Sequence, residues 1–380
     1  MNIAYVHSGL WPSNSPSMTF ASMTAWALAE EGESCHLFIR RNSEETGAEI
    51  YKRYFDIHIP DNLHIHQGKP RGLLNTNRFY FHNVYKHLSE KIKSGQIDAV
   101  IARNVTFLPW LARLKKEYKI QTWFESHDFF ANPDMRDDLK KPHKKQMRLE
   151  NKYIPHISGM ICLQNAQIEL YRKYFPQTKF ILARTGVITG NQSGKKNRNY
   201  IGYIGSLDHH KGVDLLIEAA ACSKTQPHVL IIGGKNPADE ARFLESIRSD
   251  YRDRVVLTGW LQRNALEKEL AKIRIGIVPL RDTFFNRYLT SPLKIFDFYA
   301  AGIPIIAPNY PTMQELIDEG KTGLLFAPNN VNDMAEKIDL LSENDFIKMR
   351  RYVQTKAKSL LWTERAKTLI QNFREMTNAA

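Results

Sequence analysis

The sequence has few cysteines and no long apolar run. Its three cysteines, Cys35, Cys162 and Cys222, lie far apart in 380 residues and lack the spacing of metal ligands. Such isolated thiols are typical of proteins from a reducing compartment. No run of about 18 apolar residues is present, which argues against a membrane-spanning helix. Because Met1–Val6 lacks the basic and apolar regions of a signal peptide, we expect a cytoplasmic protein.

Several motifs that would assign a chemistry are also missing. No G-x-G-x-x-G follows the first predicted strand, which weakens the case for a dinucleotide oxidoreductase. There is no H-E-x-x-H, no Cys/His framework and no Asp-x-Asp pair, so the sequence indicates no metal. We likewise expect no bound cofactor.

Positive charge is in excess. The chain has 53 Lys and Arg against 40 Asp and Glu, a formal charge of +13. This allows nucleic acid, an anionic membrane surface or a phosphorylated substrate as partner. Since no nucleic-acid-binding motif is present, we expect no nucleic acid. The densest basic stretch, Lys140–Lys152, suits contact with the inner face of a membrane, although a solvated helix face explains it equally well.

Apolar segments and helical patterns alternate along the chain. Short apolar strands are predicted at 3–6, 35–39, 99–101, 122–124 and 160–163, with helical patterns between them at 17–31, 78–94, 105–118, 136–155 and 164–174. The rhythm begins again at Tyr200–Ile204, with further strands at 229–232, 255–257 and 275–278 that end at glycine or proline. Alternation of this kind predicts two α/β domains, each a doubly wound, Rossmann-like parallel sheet, and ligands bind such sheets beyond the carboxyl ends of their strands.

The segment 189–199 contains no large apolar side chain, which places a domain boundary there. We therefore predict an N-terminal domain over 1–190 and a C-terminal domain over 191–360. A C-terminal helix over 361–380 is expected to return to the first domain. Two such domains facing each other would leave a cleft between them.

Three stretches carry candidate site residues. Gly205-Ser206-Leu207-Asp208-His209-His210-Lys211-Gly212 joins a strand to a helix, where glycines allow close backbone approach and Lys211 supplies charge for an anion. Thr290 to Pro304 contains a proline-opened helix whose first N–H groups lie near Leu293 and Lys294. Phe124 to Phe130 ends a strand with a polar trio that includes His127, a residue able to orient a substrate hydroxyl.

Taken in order, these motifs resemble a family 4 glycosyltransferase of the GT-B fold. The resemblance is strongest from Tyr200 to Pro328, where G-x-L-x-x-x-K-G is followed by Ile231-Ile232-Gly233-Gly234, Leu257-Thr258-Gly259, the 291–304 segment and Gly320-Lys321-Thr322-Gly323. It implies transfer of a sugar, with retention of configuration and without a metal, from a nucleotide diphosphate donor. The implied donor is UDP- or GDP-linked with a hexosyl-type sugar. The implied acceptor is a glycan or lipid-linked molecule in cell-surface polysaccharide or glycolipid synthesis.

The resemblance also assigns roles to residues. Lys211 matches the lysine that contacts the diphosphate, and His127 matches a histidine near the donor sugar and acceptor, which makes these two the catalytic candidates. Asp297 matches the second acid of E-x7-E, which holds the ribose. The acceptor side is assigned to His127 and Asp128. The remaining donor-binding candidates are Gly9, Gly205, Ser206, Gly233, Leu257, Thr258, Ser291, Leu293 and Lys294.

Two positions depart from the family pattern. Ser206 stands where arginine is common, and Leu289 stands where the first acid of E-x7-E is expected. They leave open a nucleotide-sugar-binding protein with degenerate or partner-dependent activity. A nucleotide-sugar epimerase is a further alternative.

Overall fold

The computed structural model describes residues 1–68, 76–139, 143–188, 198–234 and 236–378, which form two compact units. The first comprises the described parts of Met1–Lys52, Ile57–Gly186 and Trp362–Ala380, and the second those of Arg53–Asp56 and Val187–Leu361. Residues 189–197 of the predicted boundary segment and 140–142 of the basic stretch lie outside the described residues.

The first unit is built on a parallel sheet of buried apolar strands. The strands are β1 (Asn2–Trp11), β2 (Ser34–Arg41), β3 (Leu63–Gly68), β4 (Ala99–Ala102), β5 (Gln121–Glu125), β6 (Gly159–Cys162) and β7 (Phe180–Leu182), in the order β3-β2-β1-β4-β5-β6-β7. The helices between them are α1 (Pro16–Glu30), α2 (Gly47–Phe55), α3 (Asn77–Lys93), α4 (Leu108–Tyr118), α5 (Lys144–Tyr153) and α6 (Asn165–Arg172). The strand order reverses between β1 and β4, the position where doubly wound sheets bind ligands.

The second unit repeats this architecture. Its strands are β8 (Tyr200–Ile204), β9 (His228–Ile232), β10 (Val255–Leu257), β11 (Ile273–Ile277), β12 (Ile305–Pro308) and β13 (Gly323–Phe326), all parallel, in the order β10-β9-β8-β11-β12-β13. Its helices are α7 (Val213–Cys222), α8 (Pro237–Ser246), α9 (Arg263–Leu270), α10 (Phe284–Tyr288), α11 (Leu293–Ala300), α12 (Pro311–Gln314), α13 (Val331–Leu340) and α14 (Glu343–Ser359).

Both faces of the second sheet are covered. Val229 and Ile231 of β9 belong to one apolar core, whereas Leu230 and Ile232 belong to the other. Since successive side chains of a strand point to opposite faces, helices must cover both sides of this sheet. The predicted fold class of two doubly wound α/β units is confirmed.

A last helix, α15 (Trp362–Asn378), belongs to the first unit. Its Phe373 is fully buried and stacks on Trp123 of β5 with ring centroids 5.0 Å apart. Arg374 of the same helix pairs with the buried carboxylate of Glu33. None of the described helices combines the length and apolar character needed to cross a membrane.

Two predicted boundaries are wrong. The first strand does not end at Val6 but continues to Trp11, because its pairing with β2 shifts register between Val6 and Leu10 and then resumes. The helix predicted over 136–155 begins only at Lys144, since Pro133–Met135 forms a short 3-10 helix and Arg136 is extended, tied by ion pairs to acidic side chains nearby.

Candidate functional site

In the second unit, the carboxyl ends of β8 and β9 meet through two glycines. Gly205 (φ 134°) and Gly233 (φ 133°) both adopt conformations that side-chain-bearing residues rarely take. A Cβ on Gly233 would lie 2.2 Å from the carbonyl oxygen of Gly205. The glycines are therefore needed for the two backbones to approach at this edge of the sheet.

Two lysines lie near this edge, and one of them makes no hydrogen bond within the described residues. The Nζ atom of Lys294 lies 3.7 Å from the centroid of the Tyr203 ring and 3.2 Å from where a Cβ on Gly205 would be. Lys294 is 8% exposed, and its ammonium makes no hydrogen bond with any residue of the described ranges. Burial lowers the pKa of Lys294 well below its ordinary value, and the nearby charge of Lys211 lowers it further.

Lys211 ends the 3-10 helix His209–Lys211 that precedes α7. Burial lowers the pKa of its ammonium, an effect that the carboxylate of Asp208 opposes. Ser206 is uncharged and so does not replace the positive charge of the usual arginine. Its hydroxyl donates a hydrogen bond to Asp208 Oδ2 at 2.8 Å. Lys294 lies next to Gly205, and the charge of Lys211 acts on Lys294, which makes this edge suited to a ligand with more than one negative charge.

The predicted nucleobase turn lies next to the same glycines. Leu257 ends β10, and the Thr258 N–H donates to the carbonyl oxygen of Ile231 at 3.0 Å. Gly259 forms an isolated backbone bridge with Gly233. The structure therefore brings the predicted residues Gly205, Gly233 and Thr258 to one edge of the sheet.

The 291–304 segment contributes the start of α11. Leu293 is its first residue, and no side chain caps the helix at Pro292. Ser291 is partly buried just before it. Leu289 is fully buried at the end of α10, so an apolar side chain fills the position where the family pattern has an acid.

Asp297 is not a free carboxylate. Its Oδ1 accepts a hydrogen bond from Arg263 Nη1 at 2.9 Å, and Arg263 also binds Glu267 at 3.0 Å. Burial raises the pKa of Asp297, and Arg263 opposes this rise. Arg263 was not predicted, since nothing in the sequence of α9 indicates which carboxylate it pairs with.

In the first unit, His127 is held by a buried carboxylate just after β5. His127 Nε2 lies 2.6 Å from Glu125 Oε1, and the Glu125 side chain is fully buried. Tyr5 of β1 donates its hydroxyl to the same oxygen at 2.9 Å, while Arg365 of α15 binds Oε2. The edge of the Phe20 ring pairs with the His127 ring, with centroids 4.5 Å apart.

His127 was predicted as a site residue, but the residues that hold it were not. Glu125 and His127 are two positions apart at a strand end, a spacing that could have indicated a shared face. No local pattern could have identified Arg365, which is 240 residues further along the chain.

Asp128 has partners of its own, and Gly9 is placed differently from the expectation. Asp128 forms an ion pair with Arg136 and accepts the Phe129 N–H at 2.9 Å. Gly9 lies within β1 rather than in a turn after it, and a Cβ there would meet His7 Nε2 at 2.3 Å. His7, which sequence reasoning missed, is buried, and its Nε2 has no partner in the described part of the chain.

Across the five described ranges, no three His, Cys, Asp or Glu side chains are grouped so that they could hold a metal ion.

Comparison with known proteins relates the second unit to a family of enzymes. Residues 198–344, which include the edge formed by β8, β9 and β10, match the model of the family Glycosyl transferases group 1. An alpha-D-kanosaminyltransferase of Streptomyces kanamyceticus is 25% identical over 160 residues, 41% of this chain and 40% of that protein. A chitobiosyldiphosphodolichol beta-mannosyltransferase of Candida albicans is 29% identical over 116 residues, 30% of this chain and 24% of that protein. The matches thus span two fifths or less of these relatives.

The similarity in structure extends over the whole chain. The structure of Anabaena HepE in complex with UDP aligns with a TM-score of 0.72 at 13% sequence identity, covering 99% of this chain and 100% of that one. Assignment to family 4 within this fold remains a prediction. Residues 198–344 therefore resemble the Glycosyl transferases group 1 family, in a chain that has the GT-B fold.

Proposed function

We propose that the chain is a retaining, metal-independent glycosyltransferase. It would move a hexosyl-type sugar from a UDP- or GDP-linked donor to a glycan or lipid-linked acceptor. The observation that carries this proposal is the buried ammonium of Lys294, which makes no hydrogen bond within the described residues. It lies beside Gly205 and near Lys211, in the segment that matches Glycosyl transferases group 1. A buried cation without a counter-charge is unfavourable, and a nucleotide diphosphate would supply that charge.

The same two lysines suit the chemistry of sugar transfer. Negative charge grows on the leaving diphosphate as its bond to the sugar breaks, and preorganised cations stabilise it most at that point. Retention without a protein nucleophile implies that a phosphate oxygen accepts the acceptor's proton while the acceptor attacks from the same face. His127 would orient the reacting hydroxyl, and Asp297 would face the ribose.

The relatives support the proposed donor and acceptor classes. HepE binds UDP, and the Candida albicans relative is named for a lipid diphosphate-linked sugar. An acceptor of that kind lies at a membrane, and the exposed basic face of α5 fits peripheral contact with an anionic inner leaflet. We therefore place the protein in cell-surface polysaccharide or glycolipid synthesis.

Thermal stability in the presence of nucleotide sugars tests this function. A panel of UDP-, GDP-, ADP- and CMP-sugars is compared for the wild type, Lys211→Ala and the control Lys272→Ala, an exposed lysine of the same unit that pairs with Glu269. A ligand at about 100 times its Kd adds about 2.7 kcal/mol of stability. We expect one nucleotide series to raise the Tm of the wild type and the control, but not of Lys211→Ala.

If none of the nucleotide sugars raises the Tm of the wild type, the proposal is contradicted. That result would favour a protein with degenerate or partner-dependent activity. With the donor identified, the anomeric configuration of the product is read by NMR, and turnover is measured with and without EDTA. An inverted product would contradict retention, and loss of turnover in EDTA would contradict metal independence. Formation of an epimerised sugar from the donor without any acceptor would indicate an epimerase.

A further inference from the structure

One ring nitrogen of His127 is engaged and the other is open. Nε2 contacts the Glu125 carboxylate at 2.6 Å. Nδ1 makes no hydrogen bond with any residue that the structure describes, and the side chain is 21% exposed. A neutral imidazole carries one hydrogen, on either Nδ1 or Nε2. The position of that hydrogen therefore decides whether Nδ1 donates a hydrogen bond to a ligand or accepts one.

The surroundings of Glu125 fix the position of that proton. Burial by itself would raise the pKa of Glu125, but Arg365 and then the contact with His127 bring it to about 2. An ionised carboxylate can only accept hydrogen bonds, so the nitrogen facing it must carry the hydrogen. The Tyr5 hydroxyl donates to the same oxygen, as it would to an anion.

The ring itself is neutral. Burial lowers the pKa of His127 to about 4, with the nearby Arg103 as the next cause, and this outweighs the opposite effect of Glu125. A neutral imidazole with its hydrogen on Nε2 has a lone pair on Nδ1. That nitrogen can accept a hydrogen bond from a hydroxyl group but cannot donate one.

Arg365 is held independently of Glu125. Its Nη1 donates to the carbonyl oxygens of Ala183 and Arg184 at the end of β7, and its guanidinium lies 4.7 Å from the centroid of Phe20. These contacts keep the positive charge of α15 beside Glu125, whatever the state of the histidine. The guanidinium thus keeps the carboxylate ionised in a site from which water is excluded.

We propose that Glu125 and Arg365 are positioning residues that fix His127 as its Nε2–H tautomer, so that Nδ1 accepts a hydrogen bond from a substrate hydroxyl. The identity of that substrate rests on the proposed function, whereas the tautomer does not. The chain offers a matched control, because Glu33 and Arg374 form a second pair between a buried carboxylate and α15 that does not involve His127.

NMR of the whole protein labelled with 15N-histidine tests the tautomer directly. The His127 signals are identified by their loss in His127→Asn. We expect the neutral Nε2–H form of His127 in the wild type and in Glu33→Gln between pH 6 and pH 8. In Glu125→Gln, the side-chain amide can donate to Nε2, and we expect Nδ1–H to become populated. An Nδ1–H or doubly protonated His127 in the wild type would overturn the proposal.

Kinetics then test whether the tautomer matters for turnover. For Glu125→Gln we expect kcat to fall by about 10²- to 10⁴-fold with little change in the donor KM, and for Glu33→Gln a change of less than about twofold. In Arg365→Met the pKa of Glu125 should rise, so turnover should be low at neutral pH and recover as pH increases. Arg374→Met should keep the wild-type pH profile.

The outcomes separate the two proposals. Equal losses in Glu125→Gln and Glu33→Gln, in an enzyme that turns over a nucleotide sugar, would overturn the positioning role. Absence of turnover with every nucleotide sugar would contradict the proposed function, while the tautomer would still be decided by NMR. If a variant fails to fold, the wild-type tautomer remains the deciding measurement.

Discussion

At the scale of single residues, Lys294 is expected to lower the stability of the free protein and to strengthen nucleotide binding. Its ammonium is buried without a hydrogen-bond partner among the described residues, which destabilises the free protein. Lys294→Met keeps the unbranched chain but removes the charge. We expect the variant to unfold at a higher temperature, with a gain of about 1–3 kcal/mol, and to bind the preferred nucleotide about 10²-fold more weakly. Thermal melts with and without that nucleotide measure both effects.

The exposed Lys272 provides the control for this change. Lys272→Met removes an equal charge from the same unit, where the ammonium pairs with Glu269 at the surface. We expect almost no change in stability or nucleotide binding. A Lys294→Met variant that is less stable than wild type and binds nucleotides normally would show that the ammonium has a structural role.

Glu150 predicts a pH dependence of stability. Burial raises its pKa to about 8, although Oε1 receives the Tyr171 hydroxyl at 2.7 Å and Oε2 the Phe130 N–H at 2.9 Å. The folded protein therefore keeps a proton that the unfolded chain releases near its ordinary pKa of about 4.3. The contribution of Glu150 to stability must therefore fall between pH 5 and pH 8 and then level off.

A glutamine can make the hydrogen bonds of the protonated acid. We expect the Tm of Glu150→Gln to rise relative to that of the wild type between pH 5 and pH 8, which melts of both proteins at several pH values would measure. An unchanged slope would mean that Glu150 is ionised throughout this range.

At the scale of secondary structure, periodicity predicted the elements but not how they associate. Buried strands such as β4 and β9 could be predicted because both of their faces are covered, which makes their sequences continuously apolar. Glycine and proline predicted the turns after β8 and before α11. The start of α5 could not be predicted, because ion pairs hold Arg136 in an extended conformation. Long-range pairs such as Glu125 with Arg365 leave no local trace in the sequence.

Helix α15 is expected to stabilise the first unit through its buried side chains. Phe373 is fully buried against Trp123, so Phe373→Ala should cost about 3–5 kcal/mol. Gln371→Ala changes an exposed residue of the same helix and should cost less than about 0.5 kcal/mol. Hydrogen exchange should show the loss of protection in β5 and α1 and not in β8. Equal protection in the two variants would contradict the role of Phe373.

At the scale of the whole molecule, an excess of 13 positive charges favours association with anionic surfaces. The α5 helix concentrates part of this charge, since Lys144, Lys145 and Arg148 are exposed. A comparable set is exposed on α14, where Lys348, Arg351 and Lys358 lie in the second unit. Net charge alone predicts that the two sets contribute equally, whereas a membrane-docking face predicts that they differ.

Replacing each set of three with glutamine distinguishes these cases, because both variants lose the same charge. With vesicles of anionic lipid, we expect the α5 variant to bind more weakly by about 1 kcal/mol per residue, a total of about 3 kcal/mol. The α14 variant should bind as the wild type does, and neutral vesicles should bind none of the three proteins. Co-sedimentation at several salt concentrations measures this, and the Tm shift with the preferred nucleotide should be the same in all three. Equal losses in the two variants would indicate a diffuse electrostatic attraction, because only a defined docking face on α5 makes the position of the charges matter more than their number.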